Sequence, residues 1–194
     1  YLGVISSAKR VTLFLFVCYH TFMTYKVRNS LRLRSWDYSN PGCYFVTVCT
    51  FERLPLFGHI EVIDEGFSHM ARMRLSDQGR LCESAILSAS ETYGQVDVDT
   101  FVVMPNHIHL LVHLQDSLQD GASRSLLSRF VGFIKGHVTR EARKTWPKVQ
   151  IWQKYFYDHV VRDEADYLRI WEYIENNPAR WAQDRYWFDE RDGR

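Results

Sequence analysis

Eight residues, His107-Ile-His-Leu-Leu-Val-His-Leu114, restrict this chain more than any other stretch. Side chains on an extended strand alternate between faces, so Ile108, Leu110, Val112 and Leu114 share one face, which must lie against a core. His107 and His109 then fall together on the other face, about 7 Å apart along the strand, within reach of one divalent cation. The chain therefore has to build a sheet with one side under apolar packing and a pair of imidazoles on the opposite side.

The rest of the sequence supplies that sheet. Residues 43–51 and Val96 to Met104 are rich in β-branched and aromatic residues and read as strands. Asn40-Pro41-Gly42 marks a turn, Pro105-Asn106 separates the second strand from the histidine strand, and residues 60–75 suit a short strand or hairpin. Residues 76–92 read as a helix capped by Ser76, with Leu81, Ala85, Ile86 and Ala89 as its apolar stripe and Gly94 ending it. A second helix spans 124–144, with Leu126, Leu127, Phe130, Phe133, Ile134 and Val138 inward. After Pro147, residues 150–161 read as an aromatic-rich strand. The last helix, 164–176, has Asp163 as N-cap, acids in its first turn and Pro178 as terminator; Tyr167, Ile170, Trp171 and Ile174 form its expected core stripe. The order β-α-ββ-α-β-α predicts an α+β fold, a ferredoxin-like antiparallel sheet with helices packed on it.

At 194 residues this is one domain with extensions. Residues 1–22 carry Lys9-Arg10 before a short apolar run with no small-residue cleavage site. They are expected to be upstream sequence or a loose extension, with Met23 near the natural start. The domain proper is then 23–182 and the tail 183–194. The apolar run is too short to span a bilayer, so no membrane partner is expected. Four cysteines contain no Cys-x-x-Cys pair, giving no zinc or disulfide framework, and the cytoplasm is the simplest setting.

A net charge of +1 does not itself point to nucleic acid, so such a partner rests on local patches. Two exist. Lys26, Arg28, Arg32 and Arg34 form an acid-free arm beside Trp36 and Tyr38, suited to gripping phosphates and stacking on bases, or simply to a solvated segment. On the 124–144 helix Arg124, Arg129, Lys135, Arg140, Arg143 and Lys144 make the outer face basic, with Glu141 its single acid: either a phosphate track or a solvated face.

In the last helix Tyr173 and Asn177, four residues apart, stack on one face. If that face meets His107 and His109, one metal can be held by two imidazoles and the Asn177 carbonyl oxygen, with a phenol beside it. That arrangement would orient a phosphodiester for attack by tyrosine. Each part also has a plainer use: a chance His-x-His, a boundary tyrosine, a helix C-cap. Tyr155, Tyr157 and Tyr167 compete as nucleophiles, and spacing alone does not choose among them.

Residues 103–112, Val-Met-Pro-Asn-His-Ile-His-Leu-Leu-Val, together with Tyr157-Asp-His-Val-Val-Arg162 and Tyr173-Ile-Glu-Asn-Asn-Pro178, resemble the REP-associated tyrosine transposases. These are single-tyrosine members of the HUH endonuclease superfamily, named for a His-hydrophobic-His pair. Residues 36–50 are similar to the family's opening strand, and the resemblance runs in order from about residue 30 to 181. It implies that His107 and His109 bind Mg²⁺ or Mn²⁺ and that Tyr173 is the nucleophile. Asn177 stands where related insertion-sequence transposases offer a Gln as third metal ligand, with a shorter reach. His159 and Arg162 match a further family motif; Arg162 would suit phosphate, and His159 would support the site or close its strand. The implied substrate is single-stranded DNA, often a hairpin at repeated extragenic palindromes, cleaved with a covalent 5′-phosphotyrosine and a released 3′-hydroxyl. Relatives act as monomers or as homodimers, and the apolar pattern does not choose between them.

Two other readings compete. A histidine-triad nucleotide hydrolase would need a third alternate histidine at Leu111, whereas the next one is His113. A domesticated protein that binds hairpins without cutting would not need both histidines and Tyr173.

Overall fold

A computed structural model of the chain describes residues 40–64, 69–115 and 124–183. The expected N-terminal extension, the basic arm Lys26, Arg28, Arg32 and Arg34, and all but the first residue of the expected C-terminal tail lie outside these residues. The elements are β1 (Gly42–Cys49), β2 (Gly58–Asp64), β3 (His69–Leu75), α1 (Asp77–Thr92), β4 (Val96–Met104), β5 (His107–Leu114), α2 (Leu126–Ala142), β6 (Tyr157–Val160) and α3 (Glu164–Glu175). Short 3-10 turns cover Phe51–Arg53 and Pro178–Gln183.

β1, β4, β5 and β6 form one antiparallel sheet in the order β4-β5-β1-β6. Counted without the β2–β3 hairpin, this is the ferredoxin-like order. β1 and β4 flank β5, so the chain crosses between them, and the hairpin and α1 fill that crossover. Among the described residues no helix is long and apolar enough to cross a membrane.

Both faces of the sheet are covered. On one, Tyr44, Val46 and Val48 of β1 and Ile108, Leu110, Val112 and Leu114 of β5 pack with α1 and α2 into the main core. On the other, Leu111 packs with Ile170 and Ile174 of α3, joined by Phe45, Val102, Tyr167 and Tyr173. The buried stretches of the central strands β1 and β5 are accordingly apolar on both sides, apart from the residues that make the site.

Ser76 caps α1 as expected, accepting from the Gly79 N–H at 3.1 Å and donating to the Leu56 carbonyl at 2.7 Å. Two expectations need correction. The strand at 150–161 shrinks to Tyr157–Val160, preceded by an isolated bridge between Thr50 and Trp152. Trp152 is buried against Phe57, and the Lys135 ammonium donates to the carbonyls of Gln153 (2.7 Å) and Lys154 (3.2 Å), drawing them away from the sheet. In α3 the inward face is Asp166, Ile170 and Ile174, with Tyr173 half-buried beside them, whereas Trp171 is exposed. The stripe is rotated because a carboxylate takes an inward position that apolar periodicity would assign elsewhere.

That carboxylate anchors α3. His159 Nε2 of β6 donates to Asp166 Oδ2 at 2.7 Å, Arg169 pairs with the other oxygen, and the Arg162 N–H reaches Oδ2 at 3.4 Å. Asp163 caps the helix by accepting from the Asp166 N–H at 2.8 Å. Burial alone would raise the Asp166 carboxyl, but the hydrogen bonds from His159 and Arg169 outweigh it and hold the group below the usual carboxylate range.

Two stability outcomes are expected. A carboxyl depressed in the fold adds stability above its unfolded pKa of about 3.9, and that contribution is lost as pH falls through the lower folded value. Asp166→Asn should therefore lower stability at neutral pH and flatten the acid limb, read by urea denaturation from about pH 2 to about pH 6. A Cβ at Gly79 would stand 2.2 Å from the Phe57 carbonyl oxygen, which accepts from the Ser76 N–H. Alanine gains about 1 kcal/mol over glycine within a helix, yet forcing a methyl against fixed backbone costs about 1–3 kcal/mol. Gly79→Ala should lower the urea midpoint, whereas Gly132→Ala in α2, whose Cβ meets nothing within 4 Å, should raise it.

Candidate active site

The turn before β5 is pinned from two sides. The Asn106 carbonyl accepts from the Thr50 N–H (2.9 Å) and the Thr50 hydroxyl (3.0 Å), and the Pro105 carbonyl accepts from the Phe57 N–H (2.9 Å). β5 starts directly after this turn, so His107 has a fixed backbone, and the β1 register sets His107 opposite Cys49 and His109 opposite Thr47. Both imidazoles are buried, at 0% and 1% exposure.

Each ring is oriented through Nδ1. His107 Nδ1 lies 2.9 Å from Asn106 Oδ1, and His109 Nδ1 lies 2.8 Å from the Thr47 hydroxyl. Since an amide oxygen only accepts, His107 carries its proton on Nδ1. The same tautomer in His109 lets Nε2 accept from the Tyr173 hydroxyl, 3.4 Å away. The two imidazole centroids are 4.4 Å apart, close enough for both Nε2 atoms to serve one cation. Phe45 closes one side, 5.0 Å from His109 and edge-on to Tyr173 at 6.0 Å. Trp181 stacks on His107 at 6.0 Å.

Tyr173 arrives on α3, whose anchoring at Asp166 lies about two turns earlier. Its ring sits 5.2 Å from His109, centroid to centroid. One of the competing tyrosines is engaged elsewhere and two are exposed. The Tyr167 hydroxyl donates to Asp99 at 3.1 Å, and burial together with that carboxylate pushes the phenol up to about 12. Tyr155 and Tyr157 are exposed, at 58% and 41%. Asn177 is buried, with its N–H bonded to the Ile174 carbonyl at 3.2 Å, and the turn that follows it delivers Trp181 to His107. Among the described residues no three His, Cys, Asp or Glu side chains form a metal-holding group.

The structure thus brings His107, His109 and Tyr173 together and puts Asn177 on the segment that reaches them. His159 acts through Asp166, on the position of α3, and the Arg162 side chain is exposed. The basic helix face is not at the site: α2 packs on the opposite side of the sheet, so Arg124, Arg129, Lys135 and Arg140 lie across it from Tyr173. Lys135 is also committed to two backbone carbonyls, and burial lowers its pKa. Sequence reasoning overlooked Thr47, Asn106 and Trp181. A threonine on the histidine side of a central strand was a usable signal for the first; nothing in the pattern after Pro178 marked the tryptophan.

Comparisons with known proteins give the family and the fold. The profile described as "Transposase IS200 like" matches residues 74–177, more than half of the chain, including both histidines and Tyr173. An uncharacterised protein of Haemophilus influenzae is 34% identical over 178 residues, covering 84% of this chain and 94% of its own. A second protein of that organism, provisionally named a REP-associated tyrosine transposase, is 24% identical over 154 residues, 74% of each chain. The solved structure of a REP-associated tyrosine transposase bound to a REP hairpin shares the fold, with a TM-score of 0.53 and 22% identity over 77% of this chain and 73% of that one. With the profile spanning the strand that carries the imidazoles and the helix that carries the phenol, the chain belongs to the IS200-like transposase family.

Proposed function

We propose that this transposase cleaves and rejoins single-stranded DNA at palindromic hairpins through a covalent 5′-phosphotyrosine on Tyr173. The contact between the Tyr173 hydroxyl and His109 Nε2 carries the reading, because it sets a nucleophile at the edge of a buried pair of oriented imidazoles. The similarity to a REP-associated tyrosine transposase, and to one solved with a REP hairpin, supports the substrate class.

The donor set fits a divalent cation: two imidazoles whose Nδ1 atoms are already engaged, so that both would ligate through Nε2, the Tyr173 hydroxyl giving up its contact with His109, and the Asn177 amide as third ligand. Mg²⁺ or Mn²⁺ bound there would supply positive charge to the scissile phosphate and to the developing phenolate. A free tyrosine ionises near pH 10, so at neutral pH the phenol needs such help. The Tyr173 oxygen attacks phosphorus, its proton passing to solvent, as the bond from phosphorus to the 3′-oxygen breaks and that oxygen takes up a proton. The new phosphotyrosine keeps the phosphodiester energy, so a 3′-hydroxyl can attack it and reseal the strand without ATP.

Tyr173→Phe should leave no covalent adduct on a labelled hairpin while changing hairpin affinity by less than about twofold. Full cleavage by that variant would exclude Tyr173 as the nucleophile. Chelation and His107→Ala should each stop cleavage, and Thr47→Val, which removes the Nδ1 partner of His109, should raise the Mn²⁺ concentration needed by about 10–100-fold. Cleavage that persists in chelator would remove the cation from the mechanism.

A further inference from the structure

The strongest feature outside the active site lies on the far side of the sheet. A groove of about 640 Å³ runs between α2 and residues 149–154, lined by Lys135, Arg140, Arg143 and Lys154 together with Thr139 and glutamines, and by no carboxylate. α2 passes along it from Lys135 to Arg143, roughly 12 Å of helix axis. Two exposed aromatic residues neighbour the lining in sequence. Tyr155, 58% exposed, has the Lys154 ammonium 5.1 Å above its ring, and Trp146, 49% exposed, lies in the turn between Arg143 and Val149. The nearby acid Glu141 is already neutralised by Lys144 at 2.5 Å and Arg140 at 3.7 Å, whereas no ion pair among the described residues engages Arg143 or Lys154.

We propose that this groove is a second DNA site, a sequence-tolerant track for a few nucleotides of single-stranded DNA leading away from the cleaved hairpin. Cations lining a groove follow a phosphate backbone, and exposed rings beside them need unstacked bases to be of use. A duplex hides the faces of its bases, so exposed rings beside cations favour a single strand. The identity of the ligand as DNA rests on the transposase reading; the binding itself does not depend on Tyr173 chemistry.

The test uses the full-length protein and a fluorescein-labelled oligo-dT, with binding read by fluorescence anisotropy across a salt series. Replacing Arg140, Arg143 and Lys154 by alanine together should weaken binding by tenfold or more at low salt. It should also flatten the log K against log salt slope by about 2, since each phosphate contact to a single strand contributes about 0.7. Trp146→Ala with Tyr155→Ala should weaken binding by about tenfold or more with the slope unchanged. All five substituted side chains reach solvent, so melting temperatures should hold; if the triple variant does not fold, Lys154→Glu alone should still weaken binding. Unchanged affinity and slope in the charge variants would overturn the proposal, as would duplex DNA displacing oligo-dT at equal concentration while the ring variants bind normally. Tyr173→Phe should bind oligo-dT as wild type does, so loss of this site and loss of the nucleophile are separately visible.

Discussion

Everything in this molecule depends on the alternation of β5. The strand is the wall between two packing layers, with Ile108, Leu110, Val112 and Leu114 facing α1 and α2 while His107, His109 and Leu111 face α3. Because the side-chain period is two, a slip of one residue against β1 would drive both imidazoles into the main core and turn its aliphatic residues toward α3. Burying unpaired polar rings in that core is costly, so the apolar packing that folds the domain also fixes the register. The same register sets Thr47 opposite His109, and the pinned turn sets Asn106 beside His107. Stability and site geometry are thus one constraint, and the site's tautomers follow from it.

Much of this could be read from residues alone, for reasons that differ by element. β4 and β5 matched their expected limits because strong β-formers meet an unambiguous break at Pro105-Asn106, and α1 because Ser76 is a strong cap. The ferredoxin-like order and the meeting of Tyr173 with the histidines also stood. The expected strand at 150–161 failed where a distant group intervened: periodicity cannot foresee that Lys135, on another element, will take the carbonyls of residues 153 and 154. Trp171 was misplaced because an apolar stripe was assumed, while the true inward face begins with Asp166, whose burial makes sense only once His159 and Arg169 are beside it. The choice among tyrosines lay beyond sequence for a similar reason. Their surroundings are what differ: Asp99 engages Tyr167 from β4, Tyr155 and Tyr157 are exposed, and Tyr173 reaches His109.

Delivery of Tyr173 to the imidazoles is the remaining step. Exchange of this helix between two subunits would require α3 to leave its own sheet. Here the helix is held at three levels. Asp166 joins it to β6 through His159, Tyr167 joins it to β4 through Asp99, and Ile170 and Ile174 pack under Leu111. Removing the helix would expose that apolar layer and leave a carboxylate and an imidazole without each other, a combined loss of several kcal/mol. The Tyr173 hydroxyl already reaches His109 from the same chain, so a single copy contains the complete His107, His109 and Tyr173 arrangement. Exchange would therefore have to recreate each of these contacts in the partner to be neutral in energy.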